Sequence, residues 1–279
     1  MHGSLLLLSG LLALLSLLAA CERSPAPAGQ QGRDSPAAVI PADPASAPPS
    51  PEESVALQRL AAHWPPVPEQ PPRERVRHEL AHRLELPAAA SSPRFLLVYA
   101  SRQAGHDCSA CSPELSFFEF EPGQAGQPPR LVMASVAATR LGYAGVAPSA
   151  RVQALGGGRY AVLLSWDIHA QGSQAMLAVL APVGGRMAEV FLGQIGGRHD
   201  LLTRSGDLSE VDWETAIRFE PGPGPYLDLH LRRRFITGRH WLLDPVRGPF
   251  ASELNAQGQV PVELVYRFDG QRMRLVMSR

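Results

Sequence analysis

His78-Glu79-Leu80-Ala81-His82 is the part of this 279-residue chain in which residue type and spacing point most sharply to chemistry. Histidines four residues apart share one face of a helix. On a helix, His78 and His82 could therefore grip one zinc ion, with Glu79 as general base toward a metal-bound water. A second group is His106-Asp107-Cys108-Ser109-Ala110-Cys111. Imidazole and thiolate suit copper or zinc, so His106, Cys108 and Cys111 could form a metal site. The same two thiols could instead form a structural disulfide or an active redox couple. Looser candidates are Asp167-x-His169 and His199-Asp200, which strand packing could bring near each other. Arg232-Arg233-Arg234 ends an apolar run and reads as a charged edge strand rather than a ligand site. The chain contains no G-x-S-x-G nucleophile elbow and no phosphate-binding P-loop.

The His78–His82 segment resembles the H-E-x-x-H motif of the zincin metalloproteases. That resemblance implies a zinc hydrolase, with His78 and His82 as ligands and Glu79 as base. The extended motif would need Gly at position 85 and His at position 88, where this chain has Glu85 and Ala88. The other pattern needs a glutamate from a following helix. Beyond Pro87 the chain reads as strands, so Glu114 or Glu119 would serve only by accident of the fold. Arg75, Arg77 and Arg83 give the segment a solvated look. The expectation is a catalytically silent segment with no bound cofactor.

The elements that must position these groups begin with an address. Leu5–Leu8, Leu11–Leu12, Leu14–Leu15 and Leu17–Leu18 form an apolar core of signal-peptide length, which makes residues 1–20 a signal peptide. Leu18-Ala19-Ala20-Cys21 follows and resembles the bacterial lipobox, which implies that Cys21 is lipidated and becomes the mature N-terminus. In the enterobacterial sorting pattern that this resembles, Asp after the cysteine favours inner-membrane retention, so Glu22 implies the outer membrane, with the protein facing the periplasm. In that oxidising compartment the default for C-x-x-C is a disulfide, and Cys108 and Cys111 are the two cysteines left over.

Acidic and basic residues balance at 26 each, so no net charge steers the chain toward nucleic acid. Residues 21–51 carry the lipid site and a Pro/Ala/Ser-rich tether. From Ser24 to Pro51 they hold too few apolar residues to offset the entropy of ordering. Such a tether reaches about 80–90 Å when extended. Residues 52–87 read as helical. Val55, Leu57, Leu60, Ala61 and Trp64 form one apolar face, and Val76, Leu80 and Leu84 form a second stripe between Pro72 and Pro87.

From Pro93 to Arg279 the period drops to two, as in Val262, Leu264, Tyr266 and Phe268. Asp269-Gly270 and Gly184-Gly185 read as hairpin turns. About ten short strands predict a mainly β fold, an antiparallel sandwich or barrel-like sheet with a short N-terminal helical element.

Cys108-Ser109-Ala110-Cys111-Ser112-Pro113 before a Phe-rich strand, and Tyr266-Arg267-Phe268-Asp269-Gly270 near the end, resemble uncharacterised β-rich envelope proteins of Gram-negative bacteria. The resemblance implies a location and no activity. The expected function is non-enzymatic binding in the periplasm. The membrane is reached through the lipid, and the partner is an envelope protein, peptidoglycan or a glycan-cleaving enzyme to be inhibited.

Overall fold

Chain order and strand order coincide. Strands β1 (Val76–Ala89), β2 (Ser92–Gln103), β3 (Glu114–Glu121) and β4 (Arg130–Arg140) form one antiparallel sheet in sequence order. Strands β5 (Ser149–Gly156), β6 (Arg159–Ile168), β7 (Ser173–Val183), β8 (Arg186–Leu202), β9 (Leu208–Pro221), β10 (Leu227–Thr237), β11 (Glu263–Phe268) and β12 (Met273–Ser278) form a second, again in sequence order. These come from a computed structural model that describes residues 48–65, 75–89, 92–103, 111–123, 127–169, 172–239, 243–244 and 249–279. The expected signal peptide, Cys21 and nearly all of the tether lie outside the described residues. Neither sheet closes into a barrel, and their facing residues pack as a sandwich.

Helix α1 (Pro51–His63) starts where its capping chemistry dictates. The Ser50 hydroxyl accepts the Glu53 N–H, and the Glu53 carboxylate accepts the Ser50 N–H at 2.8 Å. This reciprocal capping box satisfies two backbone donors at the helix start. Ala56 and Leu60 are buried and face Phe95, Leu97, Tyr99, Phe118 and Phe120 on the outer side of the first sheet.

The second helix expected in residues 52–87 is instead strand β1, paired residue by residue with β2. A stripe every four residues fits a strand as well as a helix, because four is a multiple of the strand period of two. A register shift between Leu80 and His82 then reverses the facing. Leu80 packs on the helix side of the sheet, whereas Ala81, Leu84 and Leu86 pack between the sheets. A β-bulge produces this effect by inserting one extra residue.

Strands β6 and β7 are apolar runs because both of their faces are covered. Tyr160, Val162, Leu164, Ala178 and Leu180 meet Leu96, Val98, Leu115 and Phe117 of the first sheet. The alternate residues Ala161, Leu163, Leu177 and Val179 meet Leu229, Leu231, Leu264 and Phe268 from the other end of the same eight-stranded sheet. That sheet therefore curls over its own back. The expected hairpins form at Gly184-Gly185 (φ 58° and 79°) and at Asp269-Gly270. The Asp269 carboxylate accepts the N–H groups of Gln271 and Arg272, which holds it down at about 2.

Arg232–Arg234 do not mark an edge. Strand β10 is interior, between β9 and β11. Arg233 is buried and pairs with Glu253 of a short 3-10 turn, Ala251–Glu253. Its side chain lies over the Phe250 ring, 4.6 Å from the centroid. Glu253 also accepts the Tyr266 hydroxyl at 3.0 Å. A similar trio joins the sheets: Arg94 and the Tyr160 hydroxyl each donate to Glu119 at 2.6 Å.

Candidate functional site

The bulge in β1 separates the residues that a zinc site would need together. His78 pairs with the Ser101 hydroxyl at 2.8 Å and lies against the Trp64 ring. Burial holds it below the ordinary histidine range. His82 donates through Nε2 to the Pro148 carbonyl at 2.7 Å, beside β5. Glu79 points to solvent and pairs with Arg102 at 3.1 Å. The three side chains thus serve three different contacts. Glu119 is committed to Arg94 and Tyr160, and Glu114 to Arg140. Among the described residues, no group of three or more His, Cys, Asp and Glu side chains could hold a metal ion.

His106 and Cys108 lie outside the described residues. Cys111 is exposed just before β3, and its carbonyl accepts the Gly145 N–H at 2.8 Å.

Asp167-x-His169 and His199-Asp200 do come to the same end of the second sheet. Asp167 on β6 is paired with Ala175 on β7, which is paired with Gly196 on β8. Strand β7 stands between the two groups, and no hydrogen bond joins them among the described residues. At this end a cleft of about 620 Å³ is lined by Gly172, Ser173, Gln174, Arg198, His199, Asp200, Leu201 and Glu210. That volume suits a small ligand or a few units of a polymer.

His199 is fixed on several sides. Its ring lies 5.6 Å from the buried Trp213 ring. The Gln194 side-chain amide nitrogen stands 3.0 Å from His199 Nε2 and donates to the Gly196 carbonyl at 3.2 Å. An amide nitrogen only donates, so His199 Nε2 must accept, and the network assigns the ring proton to Nδ1. A Cβ at residue 172 would stand 3.0 Å from Nδ1, and one at residue 197 would stand 3.0 Å from Nε2. Glycines at both positions leave room for the ring. Gly172 also has φ +99°, which other residues rarely adopt.

The charge in the cleft is lopsided. Arg198 pairs with Glu210 at 2.8 Å, and that carboxylate, with Asp212 and Asp200 nearby, raises the guanidinium pKa. Asp200 sits directly opposite Glu210 across β8 and β9. Like charges in that arrangement are mildly destabilising. Sequence reading reached His199 and Asp200. It missed Ser173, Gln174, Gln194 and Glu210, which turn and strand register bring in and no local motif marks. Comparison with known proteins found no matching family model, no matching curated protein and no matching solved structure.

Proposed function

We propose that this chain is a lipoprotein of a bacterial cell envelope whose β domain binds a partner without transforming it. Cys21 carries the lipid, the Pro/Ala-rich stretch from Ser24 to the helix cap at Ser50 spaces the domain from the outer membrane, and the domain faces the periplasm. The observation that carries the binding reading is the 3.0 Å contact between the Gln194 amide nitrogen and His199 Nε2, which assigns Nε2 as the acceptor. The Nε2 lone pair already accepts from Gln194, so that atom is occupied where a general base would need it open. What remains is a donor at Nδ1 among polar and charged side chains, a combination suited to recognition.

The address rests on the leucine-rich leader and on Leu18-Ala19-Ala20-Cys21. Cys111 is a half-cystine, which supports pairing with Cys108 in an oxidising compartment. Candidate partners are an envelope protein, peptidoglycan or a glycan-cleaving enzyme. Fractionating cells that express the full chain tests the anchor. The wild type should sediment with membranes, and Cys21→Ser should lose the lipid mass at the N-terminus. An unmodified Cys21 in the wild type would overturn the anchored reading.

A further inference from the structure

We propose that the cleft lined by Gly172, the start of β7, β8 and β9 binds an uncharged, hydroxyl-rich saccharide. This rests on the reading of the domain as a binding module and names the ligand class for the same site. His199 offers a donor at Nδ1, in a ring held in place by Trp213 and Gln194. Ser173 offers a hydroxyl, and Gln174 offers an amide that both donates and accepts. Asp200 lines the cleft with no hydrogen bond or ion pair to another described residue, so its carboxylate oxygens are acceptors for incoming hydroxyl donors. Glu210 is half-committed to Arg198, which leaves acceptor capacity on it as well.

Three alternatives fit less well. An anionic ligand would meet Asp200 and Glu210, with Asp212 close by, while the guanidinium of Arg198 is already held by Glu210. A metal ion lacks a grouping of three suitable ligands among the described residues. A large apolar ligand would have to strip water from charged side chains, with Leu201 as the one sizeable apolar residue among the described residues of the lining. Sugar hydroxyls each donate and accept, and so match a surface that mixes a fixed N–H, an amide, a hydroxyl and carboxylates. Hydroxyl donors from the ligand would also ease the opposition of Asp200 and Glu210 across the two strands. The volume of about 620 Å³ accommodates a short run of sugar units.

The test is calorimetric titration of the full chain, purified in detergent, with a neutral tetramer of N-acetylglucosamine. The de-N-acetylated, positively charged tetramer serves as comparison. Saturable binding of the neutral tetramer is expected, weakened about tenfold or more by Asp200→Ala. Asp200 is an exposed side chain, so this variant keeps the fold, and unchanged circular dichroism verifies that. Ser173→Ala should weaken binding by a smaller factor. Absence of binding overturns the proposal, as does binding that Asp200→Ala leaves unchanged. Binding confined to the charged tetramer and abolished by salt also overturns it, because the cleft would then be a cation site. If the neutral tetramer fails while Cys21 carries its lipid, the saccharide falls and the tethered binding domain stands. If the tetramer is recovered shortened, the non-enzymatic reading falls too.

Discussion

Two buried clasps in this molecule use the same three residue types and hold different things together. In one, Glu119 on β3 takes Arg94 from β2 and Tyr160 from β6, so a single carboxylate joins the two sheets. In the other, Glu253 takes Arg233 from β10 and Tyr266 from β11, so the carboxylate joins a short turn to the sheet beneath it. Each arginine leaves its Nε buried without a hydrogen-bond partner. The difference lies in what can move. Glu119 sits in a strand buried on both faces, beside a register shift in its pairing with β4, and releasing it is expected to part the sheets. Glu253 sits on a 3-10 turn outside the strands, so releasing it is expected to disturb that turn and the neighbouring Phe250 while the strands stay paired. The same chemistry therefore acts as a global fastener in one place and a local latch in the other. Breaking a buried pair leaves an uncompensated charge, whereas hydration of that charge by local opening limits the cost.

Substituting each carboxylate breaks the comparison most severely. Glu119→Ala should lower unfolding free energy by about 3–5 kcal/mol, read as a shift of the whole urea transition. Glu253→Ala should cost about 1–3 kcal/mol, because Arg233 gains water when the turn lifts. Hydrogen exchange should then speed up around residues 249–255 and hardly change in β6 and β7. Equal global losses with no local exchange signature would show that the two clasps are equivalent.

Alkaline pH sharpens the comparison with a smaller effect. Burial, reinforced by Glu119 and Glu253 respectively, pushes the Tyr160 and Tyr266 phenols well above their usual range. Burial, with help from Glu53, takes Tyr99 to about 12. Above an ordinary phenol value of about 10 the unfolded chain sheds protons that the folded chain retains. The stability linked to these groups is thus complete below about pH 10. It is lost as pH climbs through the folded values, starting in the window up to about 12 set by Tyr99. Tyr160→Phe and Tyr266→Phe should each flatten that decline when melting temperature is followed against pH. A flat profile in the wild type would contradict the buried placement of these hydroxyls.

The smallest effect should come from the cysteines. A Cys108–Cys111 bridge closes only a four-residue loop, so its loss removes little entropy from the unfolded chain, on the order of 2 kcal/mol or less. Cys108→Ser/Cys111→Ser should lower the melting temperature modestly and leave both clasps intact. Two titratable thiols in the oxidised protein, or a loss as large as that of Glu119→Ala, would show that the segment does something other than pin the entry to β3.

The sequence made the mainly β class legible because strand period and turn chemistry are local. Asp269-Gly270 and Gly184-Gly185 specify their hairpins within a few residues, and the run Tyr160–Leu164 declares a strand buried on both faces. Strand β1 was not legible, since Val76, Leu80 and Leu84 satisfy helix and strand periods alike and the bulge at Ala81 hides the alternation. Strand β5 was missed because Ser149–Gly156 alternates weakly, with Leu155 its one fully buried side chain. Arg233 looked like an edge charge because its partner Glu253 arrives from 20 residues away. The cleft shows the same limit: His199 and Asp200 could be picked out, but Gln194, Ser173 and Glu210 are joined to them only by hairpin register.

The proton on His199 provides the most direct test of binding without catalysis. Nitrogen-15 NMR of the imidazole in the intact protein distinguishes its two tautomers. The account predicts the proton on Nδ1, an unprotonated Nε2 accepting from Gln194, and loss of that signature in Gln194→Ala. A proton on Nε2 would contradict the assignment and leave the Nδ1 lone pair open to act as a base, and a signature unmoved by Gln194→Ala would show that Gln194 does not set the tautomer.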